Sequence, residues 1–122
     1  VTDKAVRDKL SKMNAEVMGA KIDPFYGAPV VLVVLADKSV GTYKYDGSLV
    51  MESLMLAANA VGLGSCWIHR AKEEFESEEG RELLRQLGIS GDYEGIGHCI
   101  LGYPAGDIPA EKPRKENWVY KI

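Results

Sequence analysis

A glycine-rich turn beside an apolar run is the part of this sequence best suited to contact a ligand. Residues 62–65 read Gly-Leu-Gly-Ser, and the run Cys-Trp-Ile-His follows at 66–69. Because Gly64 lacks a side chain, a planar ring could lie against the backbone there. The more common role of such a segment is a plain turn that ends a helix, with Trp67 and Ile68 as ordinary core residues.

Conventional catalytic and metal-binding motifs are missing from the sequence. It contains no GxSxG elbow, P-loop or HExxH motif, and no GxGxxG follows a predicted strand. His69 and His98 are isolated, whereas zinc and iron sites need three or four ligands within reach. Cys66 and Cys99 lie far apart in predicted strands, so we expect buried, reduced thiols. No metal site is expected.

Composition and charge restrict the possible partners. The chain has 122 residues, 46% hydrophobic and 27% charged, which is typical of one globular domain spanning residues 1–122. Its net charge of -3 comes from interleaved acidic and basic residues, so a nucleic-acid partner is not expected. No apolar run approaches the roughly 20 residues that span a bilayer, and no signal-peptide core is present. We therefore expect a cytoplasmic protein without a membrane partner.

The hydrophobic pattern predicts helices and strands around the turn. Apolar residues recur at helical spacing over 2–20, with Thr2 or Asp3 as the cap. The run at 30–35 does not alternate, which predicts a central strand covered on both faces. The remaining predictions are a helix from Asp46 to Val61, buried all round, a strand at 65–69, a helix at 77–87 capped by Ser77, and a strand at 93–101.

The carboxyl-terminal segment predicts contact with another chain. Residues 105–122 have too few apolar residues for a helix, yet Trp118, Tyr120 and Ile122 stand close to the end. Such side chains are stabilised only when buried, so we expect the segment to add as a strand to the sheet of a partner subunit. The predicted fold class is α+β, with helices around a small, mainly antiparallel sheet.

Three segments together resemble the FMN-dependent nitroreductase family. They read FYGAPVVLVVLAD at 25–37, AANAVGLGSCWIHRAKE at 57–73, and ILGYPA at 100–105 followed by KPR at 112–114. Each segment is unspecific alone, but their order and spacing are similar to those of the family over essentially the whole chain. The resemblance corresponds to the carboxyl-terminal two thirds of a family member.

The resemblance implies an intertwined homodimer with FMN at the subunit interface. By position, Trp67, Ile68, His69 and Arg70 are implied to lie beside the flavin ring, with a backbone N–H near His69 or Arg70 facing its N5 atom. Lys112 and Arg114 are similar to the family's basic pair at the FMN phosphate, where two cations suit a doubly charged anion. Without the resemblance, both would be read as solvated surface charges.

The implied activity is hydride transfer from NADH or NADPH through FMN to a nitroaromatic, quinone or related small-molecule acceptor, by a ping-pong mechanism. The cofactor performs this chemistry, so no catalytic side chain is expected. Tyr43 and Tyr45 are candidates to line the acceptor pocket, although tyrosines in a surface turn more often serve packing.

The resemblance also implies a difference from the family. Family members begin with an arginine-rich helix of the RRSxRxF kind and an asparagine-containing loop, which supply much of the FMN binding, and neither is found before Val1. The sequence is therefore expected to hold FMN less tightly than a full member. The alternative function is a non-catalytic module that holds a dimer or binds flavin weakly.

Overall fold

The computed structural model describes residues 1–107 and 110–122. In this part of the chain the helices are α1 (Lys4–Met18), α2 (Tyr43–Ala60), α3 (Ala71–Glu76) and α4 (Glu78–Gln86). The strands are β1 (Val30–Asp37), β2 (Gly64–Ile68) and β3 (Tyr93–Gly102). They confirm the predicted α+β class.

The strands form an antiparallel sheet in the order β1-β3-β2. The last strand in sequence, β3, is therefore central, and the prediction that β1 is central was wrong. Helices cover both faces of β1: Val31 belongs to a core cluster with Leu10 and Phe25, while Val34 packs with Met51. An apolar run without alternation thus indicates that both faces of the strand are buried. It does not show that other strands pair with both of its edges.

Capping by predicted residues accounts for where α1 and α4 begin. Asp3 accepts a hydrogen bond from the backbone N–H of Val6 at 3.0 Å and begins α1, which Gly19 ends with a positive φ of 70°. Ser77 accepts from the N–H of Gly80 at 3.0 Å and begins α4. The six-residue α3 was not predicted, because so short a helix shows no periodic pattern.

Two predictions about α2 were wrong. It begins at Tyr43, ahead of the predicted Asp46, so the predicted link is partly helical. It is also not buried all round: Met51 is fully buried against the sheet, but Leu49 is 66% exposed and Leu56 60% exposed. A single three-stranded sheet can cover only one side of a helix that is apolar on most of its circumference.

The carboxyl-terminal segment does not pack as a helix or strand in its described part, residues 110–122, and its side chains are exposed. The predicted tail includes positions 108 and 109, which lie outside the described residues. Cys66 is exposed, which corrects the prediction that both thiols are buried, while Cys99 is buried as predicted. In the described ranges, no helix is long and apolar enough to cross a membrane.

Candidate functional site

The end of β2 lies in a cavity of about 420 Å³. Its walls come from the start of α2, the end of β2, the start of α3 and the start of β3. The residues that give it chemical character are Lys44, Trp67, His69, Arg70, Lys72 and Glu94. Three of the predicted ring-binding residues, Trp67, His69 and Arg70, therefore line one cavity.

Trp67 and His69 form the aromatic wall of this cavity. Their rings are stacked, with centroids 5.4 Å apart and an interplanar angle of 21°. The indole lies over Gly97 of β3, where any Cβ would collide with its Nε1. That Nε1 is buried and has no hydrogen-bond partner within the described ranges. Gly97 thus makes room for the Trp67 indole, a role that the sequence analysis did not predict, although the Gly-Ile-Gly spacing in β3 was a visible signal.

Ile68 differs from its neighbours because alternate residues of a strand face opposite sides of the sheet. Its side chain is 6% exposed and packs in the core cluster with Leu10 and Phe25. Only its backbone can therefore contribute to the cavity side. The pairing of β2 with β3 ends at Ile68 and His98, so the peptide groups of His69 and Arg70 lie past the last paired residues.

Arg70 turns the chain from β2 into α3 with a left-handed backbone conformation, φ 78° and ψ 5°. Its Nε donates to Oδ1 of Asn14 at 3.0 Å, and the Nδ2 of Asn14 donates to the His69 carbonyl at 2.7 Å. Asn14 is fully buried on α1. The sequence reading missed Asn14, because a lone asparagine in an amphipathic helix gives no signal of its distant contacts.

The opposite wall carries a charged cluster around Glu94, which is 8% exposed. Lys44 Nζ lies 3.4 Å from Glu94 Oε1, and the hydroxyl of Tyr43 donates to Glu94 Oε2 at 3.1 Å. Hydrogen bonding to Tyr43 and to Glu94 raises the pKa of Lys44. Tyr43 therefore contacts the lining residue Glu94 but does not line the cavity itself. Tyr45 is 75% exposed and is not part of the lining either.

Lys112 and Arg114 are not brought to this cavity within one chain. Both are exposed in the segment 110–122, and neither lines the cavity. The predicted ring-binding and phosphate-binding residues are therefore separate in the single chain, and this part of the predicted site is not assembled there.

Comparison with known proteins gives the family. Residues 2–103 match the profile of the Nitroreductase family. The chain belongs to the nitroreductase family. The match covers every element of the fold, including the turn at residues 62–65 and the end of β2.

Relatives with described sequences and structures agree with this family. A protein of Archaeoglobus fulgidus named as an NADH dehydrogenase/NAD(P)H nitroreductase is 32% identical over 103 residues, which are 80% of this chain and 56% of that protein. The chain thus spans little more than half the length of that relative.

Two solved structures show the same fold. A nitroreductase with bound FMN from Bacteroides fragilis has a TM-score of 0.81 and 24% identity, and covers 100% of this chain and 73% of its own. A nitroreductase with bound FMN from Desulfitobacterium hafniense has a TM-score of 0.82 and 21% identity, with the same coverage of both chains. At these identities the likeness establishes the α+β nitroreductase fold.

Proposed function

We propose that this nitroreductase-family chain is an FMN-dependent oxidoreductase that works as a homodimer. Family membership supports an oxidoreductase role, and the cavity at the end of β2 is the site that we assign to the flavin ring. The single observation that carries the proposal is the placement of Trp67, His69 and Arg70 on one cavity at the point where β2 meets α3.

The residues of the cavity fit a flat, electron-accepting ring. Ligand cavities of about 300–1,000 Å³ are typical for small molecules, and about 420 Å³ falls within that range. Trp67 and Ile96 supply apolar surface. In the lining, Lys44, Arg70 and Lys72 outnumber the carboxylates of Glu73 and Glu94, and the resulting net positive charge suits a ring that gains electrons.

Bound FMN would supply the hydride chemistry, taking hydride from NADH or NADPH and passing it to a nitroaromatic, quinone or related acceptor in a ping-pong sequence. The chain itself would orient the ring against the backbone of His69 and Arg70 and exclude water with Trp67. Tyr43 is proposed to shape the acceptor side through its bond to Glu94, with Tyr45 nearby on the first turn of α2. No side-chain nucleophile or base is needed.

Exposed apolar surface supports the homodimer. Leu49 and Leu56 of α2 are 66% and 60% exposed, and Val61, which caps the end of the helix, is 70% exposed. In the carboxyl-terminal segment, Trp118 and Tyr120 are 72% and 82% exposed. Leu49 and Leu56 lie seven residues apart, on one face of the helix, and exposed apolar faces commonly mark an interface between proteins. We propose that α2 packs on a second copy and that the carboxyl-terminal segment wraps it.

The same arrangement would complete the flavin site. Because Lys112 and Arg114 do not reach the cavity of their own chain, we propose that they approach the cavity of the partner and bind the FMN phosphate. An arginine can bind phosphate through two parallel hydrogen bonds, and a lysine adds a point charge. Each site would then contain residues of both copies, which makes dimerisation a requirement for tight FMN binding.

Visible absorption of the flavin tests the proposed enzyme directly. The chain is mixed with FMN, separated from free FMN by gel filtration, and then treated with NADH or NADPH without oxygen. We expect retained flavin absorption that bleaches with the nicotinamide and returns when a quinone or nitroaromatic compound is added. Protein that retains no flavin, or retained flavin that does not bleach with either donor, contradicts the proposal and favours a non-catalytic module.

A further inference from the structure

Arg70 has a backbone conformation that is unfavourable for its own residue type. Its φ of 78° lies in the left-handed region, where the Cβ of a residue other than glycine crowds the following carbonyl oxygen. A residue in such a conformation persists only where surrounding contacts hold it, and these residues are frequent at functional sites. The contacts that hold Arg70 must therefore offset this cost.

The amide of Asn14 supplies contacts on both sides of the peptide that joins His69 and Arg70. Its Nδ2 donates to the His69 carbonyl at 2.7 Å, and its Oδ1 accepts from Arg70 Nε at 3.0 Å. The orientation of the amide is fixed by its partners, because a carbonyl can only accept and an arginine Nε–H can only donate. A fully buried side chain from α1 thus holds the end of β2.

Glu74 holds the Asn14 amide in place. Its Oε1 accepts a hydrogen bond from Asn14 Nδ2, and its side chain is 1% exposed. The other carboxylate oxygen lies 3.3 Å from Nε2 of the buried His98, although the two are not aligned as a hydrogen bond. The backbone N–H of Glu74 also donates to the Arg70 carbonyl at 3.1 Å. Arg70 is therefore fixed through its side chain and its carbonyl.

The planarity of the peptide between His69 and Arg70 determines where the Arg70 N–H points. In a planar trans peptide the C=O and N–H bonds point in opposite directions. The His69 carbonyl points to the buried Asn14, so the N–H of Arg70, which belongs to the same peptide, points away from Asn14. His69 and Arg70 line the cavity, whereas Asn14 does not. The contacts made by Asn14 therefore turn the Arg70 N–H toward the cavity side.

We propose that Asn14 is a positioning residue that, held by Glu74, fixes the left-handed conformation of Arg70 and aims the Arg70 N–H at the flavin ring. The identity of the ring rests on the function proposed above. The resemblance places this donor opposite N5 of the ring, which accepts a hydrogen bond in oxidised FMN but carries a hydrogen of its own after two-electron reduction. Asn14 thus favours oxidised FMN over reduced FMN without touching either.

The test compares two substitutions at Asn14 with a matched substitution on the same helix. Asn14→Ala and Asn14→Ser both remove the amide, and either variant that folds decides the outcome. Ser11→Ala is the control, because Ser11 is also a buried polar residue of α1, but it bonds to Asp23 at 2.6 Å instead of residues 69 and 70. Circular dichroism verifies that each variant is folded.

Two readouts separate a positioning role from a general loss of stability. The first is the NMR chemical shifts of the residue 70 backbone in protein without FMN, which report left-handed geometry. We expect them to move toward values for extended backbone in the Asn14 variants and to stay unchanged in Ser11→Ala. Unchanged left-handed shifts in a folded Asn14 variant would overturn the inference.

The second readout is the midpoint potential of bound FMN. Loss of this hydrogen bond in the Asn14 variants should reduce the preference for oxidised over reduced FMN about tenfold, which raises the midpoint potential by about 30 mV for a two-electron couple. Ser11→Ala should leave the potential unchanged. An equal shift in Ser11→Ala and in an Asn14 variant would overturn the inference. If the unsubstituted chain binds no FMN, the proposed function fails, and the chemical shifts alone decide the role of Asn14.

Discussion

The two faces of the sheet differ in how completely one chain covers them. On the face with α1 and α3, Leu10, Phe25 and Val31 have no exposed surface, and even the polar residues Asn14 and His98 are fully buried. On the face with α2, Met51 is buried, but the far side of the helix exposes leucine and valine side chains. One face is thus packed within the chain, and the helix on the other face presents apolar surface outward.

This difference suggests a division of roles. The α1–α3 face holds the backbone of His69 and Arg70 in place through Asn14, at the cavity that we assign to the flavin ring. The α2 face and the carboxyl-terminal segment carry the surface that we assign to a second copy. Substitutions on the first face should change stability, while substitutions on the second should change assembly and FMN binding.

The largest effect is expected from a charge on the exposed side of α2. Leu56→Glu should weaken the proposed dimer about a thousandfold, because apolar burial is lost and a two-fold interface buries the charge twice. Sedimentation equilibrium measures the change. The control is Val17→Glu, which places the same charge on an exposed valine of α1 and should leave assembly unaffected. An equally stable dimer of Leu56→Glu would remove α2 from the interface.

The next effect concerns the carboxyl-terminal cations. Replacing Lys112 and Arg114 together by alanine should weaken FMN binding about a hundredfold, since each charge-assisted bond to phosphate contributes about 1.5–3 kcal/mol and part is screened. Flavin fluorescence quenching measures the affinity. Replacing the exposed Lys12 and Lys21 by alanine gives the same change in net charge and should have little effect. Equal affinities of the two double variants would exclude the assigned phosphate site.

A smaller effect is expected on the packed face, at Asp23. Burial would raise the pKa of this carboxyl, but hydrogen bonds from Arg7, Ser11 and the backbone N–H groups of Gly27 and Phe25 lower it well below its usual range. The folded pKa is below the unfolded value, so the stabilisation is fully present above about pH 4 and declines as the pH falls further.

Asp23→Asn should therefore lower the free energy of unfolding at pH 7 by about 2 kcal/mol, allowing for partial solvent screening of the side chain. The deficit should shrink below about pH 4, as the carboxyl of the unfolded chain becomes protonated. Urea denaturation at several pH values measures both. Asp107→Asn, an exposed aspartate, is the control and should show neither change. A deficit that does not vary with pH would contradict the assigned role of the charge.

The smallest effect concerns the reactivity of the two cysteines, which lie on neighbouring strands. Cys66 on β2 is exposed and Cys99 on β3 is buried, and burial, with a further contribution from Cys66, raises the pKa of the Cys99 thiol. We expect one thiol per chain to react rapidly with a disulfide reagent near pH 8, and the other to react at a rate at least about tenfold lower. Cys66→Ala should remove the rapid phase, and a rapid phase that persists in this variant would contradict the assignment.

Sequence patterns predicted the features that are set locally. The caps at Asp3 and Ser77 and the position of β2 within one residue follow from neighbouring residues. The place of β1 at the sheet edge could not be predicted, since the same apolar run results from helices on both faces as from strands on both sides.

The site was predictable only in part for the same reason. Trp67, His69 and Arg70 are consecutive or nearly so, and a match to one segment located them together. Asn14 and Gly97 reach the same place from α1 and β3, and only the folded chain shows that the Asn14 amide meets residues 69 and 70. Whether Lys112 and Arg114 meet the cavity depends on a second copy, which stays a prediction.

The central claim is that two copies of the chain enclose FMN between them, and light scattering coupled to gel filtration with flavin detection tests it most directly. The account predicts that flavin absorption elutes with a particle of twice the 13.4 kDa chain mass, at one FMN per chain. FMN bound equally well to a particle of the single-chain mass would contradict it.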